Sequence, residues 1–216
     1  MLHDSVIQKL SQVSRASNNL ILFDIGACDF VSGIGFKRIF PNATVYSIEA
    51  DKINYERHYR TANRFGVKPF NLAFSDTDGT TTFYPSVFET KKNVDWRYAG
   101  SIIKPLVKEN SNEALNHTVT YDLNGYEVET IRIDTFCKKN NIPKIDYIHI
   151  DVEGAEDKVL SSLGRFRPLF IYAETAHFEV KSYENKLNLE QFDSFMWQLG
   201  YNVFQRFQYD TLYSKI

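Results

Sequence analysis

Cysteine is scarce in this chain. Cys28 and Cys137 are the only two in 216 residues, and neither sits in a metal or redox spacing. That excludes a disulfide framework and makes a reduced cytoplasm the expected location. An excess of charge of either sign is missing too. The net charge is −2 and the isoelectric point about 6.2, so neither a nucleic-acid-coating surface nor a polybasic membrane anchor is expected. No apolar run approaches the ~20 residues needed to span a bilayer. The opening stretch, MLHDSVIQKLSQVSRASNN, is polar and amphipathic and lacks the apolar segment of a signal peptide. There is no internal repeat and no low-complexity tract. What remains is 43% hydrophobic and 24% charged, the make-up of one globular domain over 1–216 with a real core. The thirteen tyrosines and seventeen phenylalanines are expected mainly to fill that core and its hairpins.

The chain is organised around residues 20–51. Leu20 to Phe23 is an apolar run that ends in Asp24, Gly26 and Ala27. A short amphipathic segment follows, with Val31, Ile34, Ile39 and Phe40 apolar, and then a second run, Val45 to Ile48, ending in Glu49. This is a strand–turn–helix–strand unit of about 30 residues, the size of one βαβ crossover. In a parallel sheet, ligands bind at the carboxyl ends of the strands, so Asp24, Gly26 and Glu49 mark the site.

Taken in order, Val6, Leu10 and Val13 predict a leading helix at about 4–16. Asp51 can cap a helix over about 52–65 that stops at Gly66. Phe70 to Phe74 reads as a third strand and Thr80 to Tyr84 as its hairpin partner across Asp78-Gly79. Residues 85–126 are the least periodic part and are expected to be an excursion or lid over the strand ends. Glu127 to Ile133 alternates as a strand, and Asp134 then caps a short helix before Pro143. Strands are expected at Asp146 to Ile150 and Pro168 to Ala173, with helices at Gly154 to Leu163 and Leu189 to Leu199. Tyr201 to Phe207 and Thr211 to Ser214 form a closing antiparallel pair. Strands alternating with helices, then a terminal hairpin, give an α/β fold with a mostly parallel sheet and an antiparallel edge.

The first candidate site is Asp24-Ile25-Gly26-Ala27. A dinucleotide fold needs G-x-G-x-x-G, so that a pyrophosphate can sit on a helix N-terminus. Here Ala27, Cys28, Asp29 and Phe30 follow Gly26, so the second glycine is missing and Asp29 would repel a phosphate. Glu49 stands where an acid accepts ribose hydroxyls. A phosphate-free nucleoside with a positive centre suits both acids, which is a description of S-adenosylmethionine. The second site is the strand DYIHI with Asp151, Glu153, Gly154 and Glu156 after it. Alternation puts Tyr147, His149 and Asp151 on one face, and Asp151 where substrate could meet cofactor. Helix capping by Asp151 or Glu153 is the competing reading.

In this order, DIGACDF, FPNATVYSIEAD, NLAFSDTDGTTTFY, AGSI and IDYIHIDVEGAEDKVL resemble an FkbM-type S-adenosylmethionine-dependent methyltransferase. The likeness runs from about residue 20 to 175, with a weaker match in LEQFDSFMWQLGYNVF; its most specific element is Ile150 to Glu156. Two positions depart from the family pattern: His149 stands where a lysine is usual, and Phe30 where a glycine is usual. The resemblance implies a single Rossmann-like class I methyltransferase sheet and O-methylation of a hydroxyl on a sugar, glycan or related small molecule. It also implies that Asp24, Gly26 and Ala27 line the methionine end of the cofactor, that Glu49 holds the ribose, and that Ser75 and Asp76 lie near the adenine. Asp151 and Glu153 would lie beside the transferred methyl. Ser101, in AGSI, matches a small polar pair before the variable substrate loop.

Methyl transfer to an alcohol needs alignment and a base. Asp151 is the first choice, with Glu174 and His177 as rivals. No metal is assigned, although Asp151, Glu153, Glu174 and His177 together could collect a divalent ion. A nicotinamide-dependent oxidoreductase and a non-catalytic cofactor-binding module are the alternative functions; the missing glycines oppose the first, while Phe30 and His149 keep the second open. Asn116-His117-Thr118 matches a glycosylation sequon by chance. Trp96, Tyr98 and Phe178 are possible stacking residues for a sugar. The acceptor and the oligomeric state are not written in the sequence.

Overall fold

A computed structural model describes residues 4–16, 19–89, 94–95, 97–107, 109–112, 117–175, 183 and 187–216. His177, Trp96, Phe178 and Asn116 therefore lie outside the described residues. The leading helix is α1 (Asp4–Ala16). The βαβ unit is β1 (Ile21–Ile25), α2 (Val31–Ile39) and β2 (Thr44–Glu49), followed by α3 (Lys52–Arg64) and β3 (Val67–Asn71). After a middle region come α4 (Ile133–Lys139), β11 (Tyr147–Ile150), α5 (Glu156–Ser161), β12 (Phe170–Glu174), α6 (Leu189–Gln198), β13 (Tyr201–Arg206) and β14 (Asp210–Lys215). Seven strands form one sheet in the order β13-β14-β12-β11-β1-β2-β3. The five central and right-hand strands are parallel, and β14 and β13 close the other edge antiparallel. The expected α/β architecture with an antiparallel terminal hairpin is the one observed.

Period-two alternation sorts each strand's side chains into two cores. Phe23, Ile25, Ile148, Ile150 and Ile171 face α4, α5 and α6, meeting Phe136, Leu160 and Phe192. Leu22, Val45, Tyr147 and Tyr172 face α1, α2 and α3, meeting Leu10, Phe36 and Ala62. The helices end as the sequence suggests. Asp51 accepts the N–H groups of Ile53 and Asn54 at the start of α3, and Gly66 follows that helix in the left-handed region. Among the described residues no helix is long and apolar enough to cross a membrane.

The middle of the chain departs from expectation. Phe70 to Phe74 is not one strand. The chain leaves β3 at Asn71, whose Nδ2 donates to the carbonyl oxygens of Glu49 and Ala50, and restarts as β4 (Ala73–Phe74) in a second sheet. β5 (Gly79–Phe83) does not pair with β4 across Asp78-Gly79, because β10 (Tyr126–Ile131) lies between them. Asp78 does not serve a hairpin turn; it accepts the Arg132 N–H at 2.7 Å and the Thr135 hydroxyl at 2.9 Å, tying the turn to α4. β10 also stops sooner than expected, and Ile133 already belongs to α4. Asp134 lies in that helix's first turn, gripped by both arms of Arg132, and is not its cap.

Among its described residues the excursion at 85–126 carries four short strands. β6 (Ser86–Glu89), β7 (Val94–Asp95), β8 (Glu109–Asn112) and β9 (His117–Tyr121) form an antiparallel sheet in the order β7-β6-β9-β8. These strands are short and polar, so they carry little hydrophobic alternation to read.

Phe136 is 2% exposed, and its ring lies 4.9–6.1 Å from those of Phe23, Tyr46, Phe70 and Phe74. Phe136→Ala should therefore cost about 3–5 kcal/mol of unfolding free energy, measured by urea denaturation.

Candidate functional site

A cleft of about 550 Å³, counting its open mouth, lies over the carboxyl ends of β1, β2 and β11. Its floor is Gly26 with Glu49 on one side and Asp151, Val152 and Glu153 on the other. Leu72, Ala73, Phe74 and Phe83 make an apolar wall, and a strap formed by residues 97–102 runs across the top.

Gly26 has φ +81°, and a Cβ there would lie 1.7 Å from the Asp151 carbonyl oxygen. The tips of β1 and β11 thus approach too closely for any side chain. The N–H groups of Gly26 and Ala27 both donate to the Ile48 carbonyl. Beyond them Cys28 and Phe30 are also left-handed, at φ 46° and 63°. Phe30 keeps a glycine-like backbone and buries its ring edge-on to Tyr55.

Asp24 and Ala27 do not line the cleft. Asp24 is fully buried beneath it. One carboxylate oxygen lies 2.8 Å from His149 Nδ1; the other accepts the Gly33 N–H at 3.0 Å and the Ser47 hydroxyl at 3.1 Å. Ala27 packs among the side chains of α2 and its neighbours. Ser75 and Asp76 bond to each other at 3.1 Å and also stand outside the cleft. Among the cofactor-site residues expected from the sequence, Gly26, Glu49 and Asp151 are the ones that face it.

Glu49 is 5% exposed. Its Oε2 accepts the Cys28 N–H at 2.6 Å and its Oε1 the Asp51 N–H at 2.7 Å. Burial pushes its pKa up to about 8. The two backbone donors hold the carboxylate back from going further, while the charges of Asp51 and Asp24 add to the rise. Asp51 lies beside it, its Oδ2 3.0 Å from Arg97 Nη1.

At the other side Asp151, Glu153 and Glu174 bring carboxylate oxygens within 4.8 Å of one another. Burial raises the Asp151 pKa well above the carboxylate range, and the charges of Glu174 and Glu153 raise it further. Glu153 has φ +55°, and its Oε2 accepts the Tyr183 hydroxyl at 3.2 Å. Neither Asp151 nor Glu153 caps the next helix. The N-cap position is Ala155 and no side chain caps the helix; Glu156, fully buried, accepts the N–H groups of Val152 and Gly154 in the turn before it. The reading of these acids as caps is thereby overturned. His177 lies outside the described residues.

Sequence reasoning passed over Arg97, Asn54, Tyr183 and Gly33. Tyr183 joins Glu153 to Tyr121 and to the Ala99 carbonyl. A Cβ on Gly33 would stand 2.3 Å from Ser47 Oγ, so this glycine lets α2 reach Asp24. The arginine and the asparagine had no motif to mark them, and the partner of each is remote in the chain.

A parallel sheet with helices on both faces, a reversed hairpin at one edge and a cleft at the strand tips defines the class I methyltransferase fold. The chain belongs to the FkbM methyltransferase family: the Methyltransferase FkbM domain matches residues 24–203. A curated relative, the 2-O-methyltransferase NoeI of Sinorhizobium fredii, is 29% identical over 178 residues, covering 78% of this chain and 68% of that protein. A solved FkbM methyltransferase from Methylobacillus flagellatus superposes with a TM-score of 0.54 at 14% identity, covering 91% of this chain. The match spans only 44% of that longer protein. A precorrin-6y C5,15-methyltransferase from Geobacter metallireducens matches with a TM-score of 0.49 at 12% identity, over all of this chain and 90% of its own.

Burial raises the Glu49 pKa in the folded chain to about 8 from an ordinary value of 4.5. Between these two values the folded state therefore holds more protons than the unfolded one, and stability falls as pH rises. Denaturant melts from pH 5 to 8 should show this decline in the ligand-free protein, and Glu49→Gln should flatten it.

Proposed function

We propose that the chain transfers a methyl group from S-adenosylmethionine to a hydroxyl of a sugar, glycan or related small molecule. One observation carries the reading: a buried carboxylate, Glu49, faces a strand-end cleft that is hostile to phosphate. The α2 N-terminus, where a pyrophosphate would dock, is already occupied by Asp29, whose Oδ1 accepts the Val31 N–H at 3.0 Å. Glu49, Asp151 and Glu153 all suit a cationic, phosphate-free nucleoside. The residues present fit that cofactor. Glu49 would take the ribose hydroxyls, the wall of Leu72, Ala73, Phe74 and Phe83 would take the purine, and Gly26 would give room at the sulfur. Asp24 and Ala27 would act from behind by shaping the loop, and Ser75 and Asp76 by holding the end of β4.

S-adenosylmethionine, when bound, supplies an activated methyl group. The protein's task is to hold the acceptor oxygen in line and remove its proton. Asp151 is the proposed base. Burial and its acidic neighbours raise the affinity of this carboxyl for a proton, which is the property a base needs. Glu174 is placed to share that proton, and His177 remains a candidate base. The O-methyl activity named for the Sinorhizobium relative supports a hydroxyl acceptor. Residues 85–126 would serve, within a single domain, as the cover on which the acceptor rests, and the two free cysteines accord with a cytoplasmic location. The family membership sets aside the nicotinamide reading. A cofactor-binding module without catalysis would bind S-adenosylhomocysteine yet methylate no glycan or sugar. The convergence of Asp151, Glu153 and Glu174 also suits a divalent ion, a reading that activity surviving exhaustive chelation would end.

Asp151→Asn should lower methyl transfer by about 10² to 10⁴-fold, followed by labelled methyl incorporation into a glycan panel, with cofactor binding measured separately by calorimetry. Undiminished turnover would remove Asp151 from the mechanism.

A further inference from the structure

Arg97 belongs to no motif, yet it ties the strap to the nucleoside side of the cleft by both of its ends. Its Nη1 lies 3.0 Å from Asp51 Oδ2, and its side chain is only 15% exposed. Its backbone carbonyl accepts Asn54 Nδ2 at 2.8 Å. Asp51 and Asn54 both belong to the start of α3, immediately after Glu49. Further along the strap, Ser101 Oγ donates to the Val152 carbonyl at 3.3 Å, and the Ala99 carbonyl accepts the Tyr183 hydroxyl at 3.3 Å. The strap therefore bridges the tips of β2 and β11 above Gly26, with Arg97 as its fastening on the β2 side.

The charges around Glu49 give this fastening a second role. Asp24 faces it from β1, Cys28 from the β1–α2 loop, Asp51 from the N-cap of α3 and Tyr126 from β10. Burial holds the Cys28 thiol and the Tyr126 phenol neutral well past physiological pH. Among the groups just named every charge is negative, and the cation set against them is the Arg97 guanidinium, which lies 3.0 Å from Asp51 and shares its charge with Asp95, 3.5 Å from its Nε. We propose that Arg97 is a positioning residue for the nucleoside end of the cofactor: its guanidinium pairs with Asp51 and so lessens the negative charge beside Glu49 where that side chain meets the ribose hydroxyls, while its carbonyl fastens the strap over the bound group. This rests on the cleft being the S-adenosylmethionine site.

Removing the guanidinium leaves Asp51 uncompensated next to Glu49, and a like charge nearby favours the protonated form. Removing the Asp51 charge does the reverse. The test is titration calorimetry of the full chain with S-adenosylhomocysteine from about pH 6 to about pH 9. Arg97→Gln should weaken binding about tenfold near neutral pH and move the midpoint of its pH dependence upward. Arg97→Lys, which keeps the charge, should hold the wild-type midpoint, and Asp51→Asn should move it downward. A purely structural arginine would weaken binding without moving the midpoint, and that result overturns the proposal. Should Arg97→Gln not fold, an unmoved midpoint in folded Asp51→Asn overturns it equally. No binding by the unaltered protein defeats the cofactor reading itself; normal binding there, with wild-type affinity and midpoint in Arg97→Gln, defeats the Arg97 role alone.

Discussion

Asp24 is a carboxylate with no exposure to water, and such a group persists only if its oxygens are fully engaged. Here they engage three parallel strands and a helix at once. Asp24 belongs to β1, Ser47 to β2, His149 to β11 and Gly33 to α2. The requirement to satisfy one buried acid thus sets the spacing of the strand tips on which the cleft is built. His149 meets that acid with an imidazole nitrogen and stacks on Tyr172, whose hydroxyl in turn donates to Asp210 on the terminal hairpin. The parallel core and the antiparallel edge are joined through this chain of contacts.

Above that layer the same problem recurs with a different solution. Glu49 is buried too, but its two oxygens are met by backbone N–H groups from Cys28 and Asp51, and part of its surface still opens to the cleft. A fully enclosed group could not serve a ligand. On the far side Glu156 ties down the turn before α5 by accepting the Val152 and Gly154 N–H groups, and no side chain caps that helix. Glu153 keeps a left-handed backbone that an ordinary residue tolerates only under constraint, and Tyr183 supplies part of that constraint. Buried acids with structural duties therefore surround the acids that face the cavity.

The middle of the chain shows how far local pattern can be trusted. Asp78-Gly79 has the residue types of a tight hairpin, yet Asp78 is drawn to Arg132 and Thr135, more than fifty positions away, and β10 takes the place beside β5. The pair was readable as a turn but not as a choice of partner, because several strands compete for the same edge. Likewise Phe70 to Phe74 is continuous in hydrophobicity and discontinuous in space, since Asn71 turns the chain by binding the carbonyls that end β2. The small sheet of β6 to β9 left no trace in periodicity, because its strands carry too few apolar residues to alternate.

The sequence by itself determined the alternation of strands and helices, the antiparallel finish, and the placing of Gly26, Glu49 and Asp151 at strand ends. Each of these rests on spacing within a few residues, which local sterics and burial enforce. Which of those acids look into the cavity was decided by tertiary structure alone. Asp24 turns inward because His149, Ser47 and Gly33 converge on it; Arg97 faces the cleft because Asp51 and Asn54 hold it there. A side chain's direction depends on partners that can lie more than a hundred residues away, and no short window of sequence contains them.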